Sequence, residues 1–246
     1  MAKKLKDWYD TDYLFNISQK IQKVHPDFDS DLFYRLTEYE INQLEFGQRQ
    51  ELIAKALKDS IKLDYEKSIE AFSLILGPEL PNNEGNFSKG YWLWPMGKFV
   101  ELYGTENLKV SLAFSKELTK RFTSEYCMRP LIANNPEQVM PLLVEWSQDE
   151  NMRVRRLSSE CVRLRLPWAK KMTTALNYFN EYYQILSNLR YDSDKYIQKS
   201  VANNLNDLSK ESPKYFYQII NQWEKEQLTK ETTWIIKHAS RNLEGK

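Results

Sequence analysis

A six-residue phrase recurs four times in this chain, and its spacing limits the fold more than any other feature. It reads Lys120-Arg121-Phe122-Thr123-Ser124-Glu125, then Arg155-Arg156-Leu157-Ser158-Ser159-Glu160. It returns in weaker form as Gln198-Lys199-Ser200-Val201-Ala202-Asn203 and Lys237-His238-Ala239-Ser240-Arg241-Asn242. The copies start 35, 43 and 39 residues apart. A period of ~40 with cations leading an amphipathic segment is that of stacked helical pairs of the HEAT type. Two copies end in glutamate. Glu125 and Glu160 are therefore expected at equivalent places on neighbouring repeats, on one surface.

Glycine usage agrees with an all-α chain. None of the seven glycines falls between Gly104 and Gly245, so glycine hairpins are absent from the C-terminal half. Helical periodicity is clear in Glu45 to Lys62 and in Asp64 to Leu76, and a first helix is expected over Asp31 to Gln43, capped by Ser30 or Asp31. Gly77 to Gly90 reads as the one long loop. Tyr91-Trp92-Leu93-Trp94-Pro95 opens a further helix with Pro95 in its first turn. Pro130, Pro136, Pro141, Pro167 and Pro213 fall where joints or first turns are expected. Asp149, Asp192 and Asp194 are candidate caps. The expected organisation is an uncertain segment over 1–30 and one HEAT-like repeat domain over 31–246.

The N-terminus has lysines but no apolar stretch behind them, so it is not a signal peptide. No apolar run is long enough for a bilayer. Two thiols, Cys127 and Cys161, without a secretory signal suggest a reduced, cytoplasmic protein. Neither their spacing nor that of the two histidines suits a metal site, and no cofactor is expected.

A formal net charge of +1 hides a gradient. Residues 1–100 carry 13 Lys/Arg against 16 Asp/Glu, and residues 151–246 carry 17 against 10. Asn151 to Lys171 holds Arg153, Arg155, Arg156, Arg163, Arg165, Lys170 and Lys171 against one acid, Glu160. Such a patch attracts a polyanion. A solvated helix face is the plainer account.

Glu125 and Glu160 are the candidate chemical pair. The plain account is that each pairs with an arginine along a ridge. Trp168 follows in Leu166-Pro167-Trp168. Pro167 is expected to end the helix carrying Glu160 and leave the indole near that end, and a core position between repeats is the alternative. Trp92, Trp94, Trp146, Trp223 and Trp234 read as core. Carboxylates and an indole beside an arginine patch suit one kind of target: arginines hold phosphates, while carboxylates and the indole face favour a cation. Alkylated bases such as N3-methylated adenine are cationic, and breaking their N-glycosidic bond generates an oxocarbenium-like sugar.

The run Arg153-Val154-Arg155-Arg156-Leu157-Ser158-Ser159-Glu160, followed by Arg165-Leu166-Pro167-Trp168, resembles the AlkC family of bacterial DNA alkylation-repair glycosylases. So do Thr123-Ser124-Glu125-Tyr126-Cys127-Met128-Arg129-Pro130, Ser200 to Asp207, and Trp234 to Ala239. The likeness runs from about Tyr91 to Leu243, and more loosely back to about residue 30. Cys161 stands where the family form has glycine, and Leu164 where it has proline. The resemblance implies a HEAT-like solenoid, related to that of the AlkD family, with DNA on a concave basic face. It implies excision of cationic N-methylated bases, notably 3-methyladenine and 3-methylcytosine, from double-stranded DNA without base flipping. By motif match, Glu125 and Glu160 take the catalytic carboxylate places. Trp168 takes the aromatic place beside the lesion, and Arg156 and Arg163 the places of DNA-contacting arginines. Arg153, Arg155, Arg165 and Lys170 complete the expected DNA-binding set. Some members carry an immunoglobulin-like C-terminal domain, which is not expected here. A monomer without membrane association is expected. A catalytically silent DNA binder and a protein-interaction scaffold on the same repeats are the competing readings.

Overall fold

The computed structural model describes residues 3–81 and 87–241. Every regular element among them is helical. The chain divides into two compact units, residues 1–127 and 128–246.

The first unit holds α1 (Thr11–Val24), α2 (Ser30–Thr37), α3 (Phe46–Ile61), α4 (Tyr65–Ile75), the single turn α5 (Phe87–Gly90), α6 (Trp94–Tyr103) and α7 (Leu108–Thr119). Helix α1 begins where Asp10 accepts a hydrogen bond from Tyr13 N, so the stretch 1–30 contains a capped helix within its described part. Helix α2 ends at Thr37, six residues before the expected Gln43, and Ile41–Gln43 forms a separate 3-10 turn. Asp29, rather than Ser30 or Asp31, caps it. The expectations for α3 and α4 hold to within a residue or two, with Asp64 capping α4. Helix α6 starts at Trp94 with Pro95 in its first turn. At its end Gly104 lets Tyr65 and Ser111 close in, and a Cβ there would lie 2.6 Å from each hydroxyl. Of the expected Gly77–Gly90 loop, residues 82–86 lie outside the described part.

Helix α8 (Glu125–Asn134) spans the division between the units. The second unit continues with α9 (Pro136–Trp146), α10 (Met152–Glu160), α11 (Thr174–Asn177), α12 (Phe179–Leu189), α13 (Lys195–Glu211), α14 (Pro213–Trp223) and α15 (Lys230–Ser240). Helix α13 is its axis, packing on α10, α14 and α15. Its own Leu205 and Leu208 are buried, as are Tyr182 of α12 and Trp223 of α14. Small hydroxyls bring α10 and α13 close: Ser159 and Ser200 share a hydrogen bond of 2.7 Å, and Asn204 donates to Ser159 O. Prolines at 136 and 213 open helices, as expected. Pro130 and Pro141 instead lie inside α8 and α9, where each forgoes one backbone hydrogen bond.

The repeated phrase is only partly a structural repeat. Its second and third copies share a register. Asp149 accepts from Asn151 N, and Asn151 caps α10; Asp192 accepts from Asp194 N, and Asp194 caps α13. The first copy runs off the end of α7 across a turn, and its Glu125 opens α8. The fourth lies a turn later in its helix, and Asn242 is outside the described residues. Glu125 and Glu160 are therefore not equivalent in their helices: one starts a helix and the other ends one. An amphipathic hexamer recurs in any half-buried helix, whereas caps decide where the helix begins.

Candidate functional site

Glu160 closes α10 with its carboxylate at the negative end of the helix dipole, where an anion is unwelcome without partners. It has them. Oε1 accepts from Arg163 Nη1 at 3.0 Å and lies 3.4 Å from Arg156 Nη2. Oε2 accepts from Ser200 Oγ at 2.6 Å. The residue is only 5% exposed. Burial pushes its pKa upward, but Arg156, Arg163 and the Ser200 hydroxyl outweigh that and hold it below the ordinary glutamate range. Arg163 divides its charge: Nε donates to Asp207 Oδ2 at 3.0 Å, so it does not cancel Glu160 alone. The Arg156 guanidinium also lies over the Tyr196 ring at 4.6 Å. Glu125, at the favourable end of α8, is equally withdrawn from solvent at 7%.

The helix ends at Glu160, well before Pro167, contrary to expectation. The reason is tertiary. Val162, Leu164 and Leu166 turn into the core, and the backbone that helix would have satisfied finds other partners. Arg129 donates to the carbonyls of Cys161 (3.3 Å), Arg163 (2.9 Å) and Lys170 (2.6 Å). Asp207 accepts from Arg165 N, and Met172 N donates to Leu164 O. On this clamped loop Trp168 is 74% exposed, with φ at +64°. A bulky residue rarely adopts that conformation, which costs about 1–3 kcal/mol. The alternative of a core tryptophan is thus excluded. Trp168→Gly is expected to leave stability unchanged or raise it by about 1 kcal/mol, since glycine accepts positive φ freely. Thermal melting checks this, and a loss of several kcal/mol would mean the indole is packed.

The cationic set splits by environment. Arg155 donates to Asp192 Oδ2 and to the carbonyls of Asp149 and Glu150. Gln198, its counterpart one repeat on, donates to Asp192 O in the same way, so both residues tie the turn before their helix. Arg153 is buried, and burial lowers its pKa. Arg165 and Lys170 are exposed, and Arg165 pairs with Glu211, as does Lys171. Among the tryptophans expected in the core, Trp146 and Trp223 are buried and Trp92, Trp94 and Trp234 half-buried. Both cysteines are free and buried, and burial pushes the Cys127 thiol up to about 12. No helix among the described residues is long and apolar enough to cross a membrane. The sequence reading missed Arg129, Ser200 and Asp207 as site-building residues. All three lie inside its matched motifs, but their partners are 32 to 44 residues away.

The class these features define is an all-α, HEAT-like repeat protein with an arginine-held buried carboxylate and an indole displayed on a strained loop. Comparison places it further. Residues 121–243 match the family described as DNA alkylation repair enzyme, and the chain belongs to that family. It is 32% identical over 242 residues to the uncharacterized protein YhaZ of Bacillus subtilis, covering 97% of this chain and 64% of that one. It superposes with a TM-score of 0.86 and 30% identity on the Pseudomonas fluorescens alkylpurine DNA glycosylase AlkC bound to DNA containing an abasic site analog. That match covers 99% of this chain and 65% of AlkC, so the chain spans slightly under two thirds of both relatives.

Proposed function

We propose that this chain is a DNA glycosylase that removes cationic N-methylated bases, notably 3-methyladenine and 3-methylcytosine, from duplex DNA without flipping them out. The observation that carries the proposal is Glu160, a buried carboxylate kept ionised at the head of a loop that displays Trp168. The likeness to AlkC, itself an alkylpurine DNA glycosylase, supports it.

The reaction asks little of an acid. The bonding pair of the C1′–N bond leaves with the base, which departs neutral because it began as a cation. Water adds its oxygen to C1′ and releases a proton to solvent. What needs stabilising is positive charge on the sugar and base, and the carboxylates of Glu125 and Glu160 supply that. Glu160 already has both oxygens occupied and a depressed pKa, so it acts as a fixed charge rather than a proton acceptor. Trp168 offers its face to the cationic lesion. Arg165 and Lys170 meet phosphates, while Arg155 shapes the turn and Arg156 and Arg163 hold Glu160 from within. Exposed ion pairs such as Arg165–Glu211 exchange readily for phosphate contacts.

Base release from N-methylated duplex DNA by the purified protein tests the reading. Release of methylated adenine or cytosine is expected. Salt-sensitive DNA binding without release would favour the silent binder, and neither would favour the interaction scaffold. Removing Arg165 and Lys170 together (Arg165→Ala, Lys170→Ala) is expected to flatten the slope of log K against log salt by about 1 per cation. An unchanged slope in a filter-binding titration would move the phosphate contacts elsewhere.

A further inference from the structure

We infer that Arg129 is a positioning residue, whose guanidinium fixes the 161–170 loop in the one conformation that presents the Trp168 indole. The catalytic consequence rests on the glycosylase reading, but the structural part does not.

A tryptophan at φ +64° relaxes unless its surroundings prevent it. The base of the loop is anchored by buried Leu164, Leu166 and Met172. That leaves the segment carrying Pro167, Trp168 and Ala169 to be closed. Arg129 closes it: one nitrogen holds the carbonyls of Cys161 and Arg163 before Trp168, and the other holds Lys170 O two residues after it. Only a planar fork with several donors reaches both sides at once. Arg129 is itself buried, so its hydrogen bonds do not compete with water. Asp207 reinforces the same loop through Arg165 N and Arg163. A strained, exposed indole held from both sides is arranged to meet something, and misplacing it is expected to slow the reaction rather than merely loosen the fold.

The test uses full-length protein labelled with 5-fluorotryptophan, in which the Trp168 signal among seven is assigned by Trp168→Phe. In Arg129→Gln the Trp168 resonance is expected to shift and broaden while the other six stay in place. Arg129→Lys, which keeps the charge but loses the fork, is expected to lie between, and it carries the test if Arg129→Gln does not fold. In excision assays Arg129→Gln and Trp168→Ala are each expected to lower kcat about 10²-fold, the scale for a misplaced group. If Arg129 acts through Trp168, adding Trp168→Ala to Arg129→Gln costs less than about threefold more. An unmoved Trp168 resonance, or kcat losses that simply multiply, would overturn the inference. Absence of excision by the wild type would sink the glycosylase reading instead, and the fluorine spectra would still decide the role of Arg129.

Discussion

Replacing Glu160 by glutamine (Glu160→Gln) is expected to lower base excision by about 10²–10³-fold, the usual loss for one preorganised electrostatic group. The change is nearly isosteric. The amide oxygen still accepts from Ser200 or Arg163, and Arg163 keeps Asp207, so the loop should hold its shape. What disappears is a charge in a site shielded from water, where charge counts most. Single-turnover release of methylated base measures the effect, and near-wild-type release would remove Glu160 from the chemistry. Stability gives a second readout with a definite sign. The folded-state pKa of Glu160 is depressed, so its ionisation stabilises the fold above the unfolded value of about 4.3. That contribution disappears as pH falls through the folded value. The wild type should therefore lose more stability on acidification below about pH 4.5 than Glu160→Gln does. Parallel urea titrations check this, and matching pH profiles would mean Glu160 has an ordinary pKa.

Asp207→Ala is expected to destabilise the protein by about 3–5 kcal/mol, the cost of stranding one partner of a buried ion pair. Asp207 is buried and serves three donors: Nε and Nη2 of Arg163 and the backbone N–H of Arg165. Its removal leaves a buried guanidinium balanced only through Glu160, and an amide with no acceptor. Asp207→Asn keeps an acceptor of the same shape and should lose less than half as much. Denaturant unfolding separates the two. A cost below about 1 kcal/mol for alanine would mean that Arg163 turns to solvent and that the network adds little.

The helices were legible because their signals are local. The periodic Leu52, Ala56 and Leu57 pointed to α3, where Ala56 and Leu57 are buried and Leu52 half-buried, and Asp194, one of the expected caps, caps α13 through a hydrogen bond two residues away. Residue type and the surrounding motif were enough to single out Glu160 and Trp168 as candidates. Their setting was not legible. Pro167 marked a helix end that falls instead at Glu160, because Arg129 and Asp207 satisfy the backbone from across the unit. The phrase that placed Glu125 and Glu160 in equivalent positions repeats as an amphipathic pattern, and that pattern is indifferent to helix phase.

The sequence by itself determined an all-α repeat chain with a cationic stretch around one acid. Side-chain periodicity and composition act over a few residues, and they suffice for that. Only the tertiary structure decided which of those cations are buried braces and which face solvent, where the α10 helix stops, and that Trp168 stands outward on a strained backbone. Those outcomes depend on hydrogen bonds and ion pairs between residues 32 to 46 apart in the chain, whose geometry is set by helix packing rather than by any local preference.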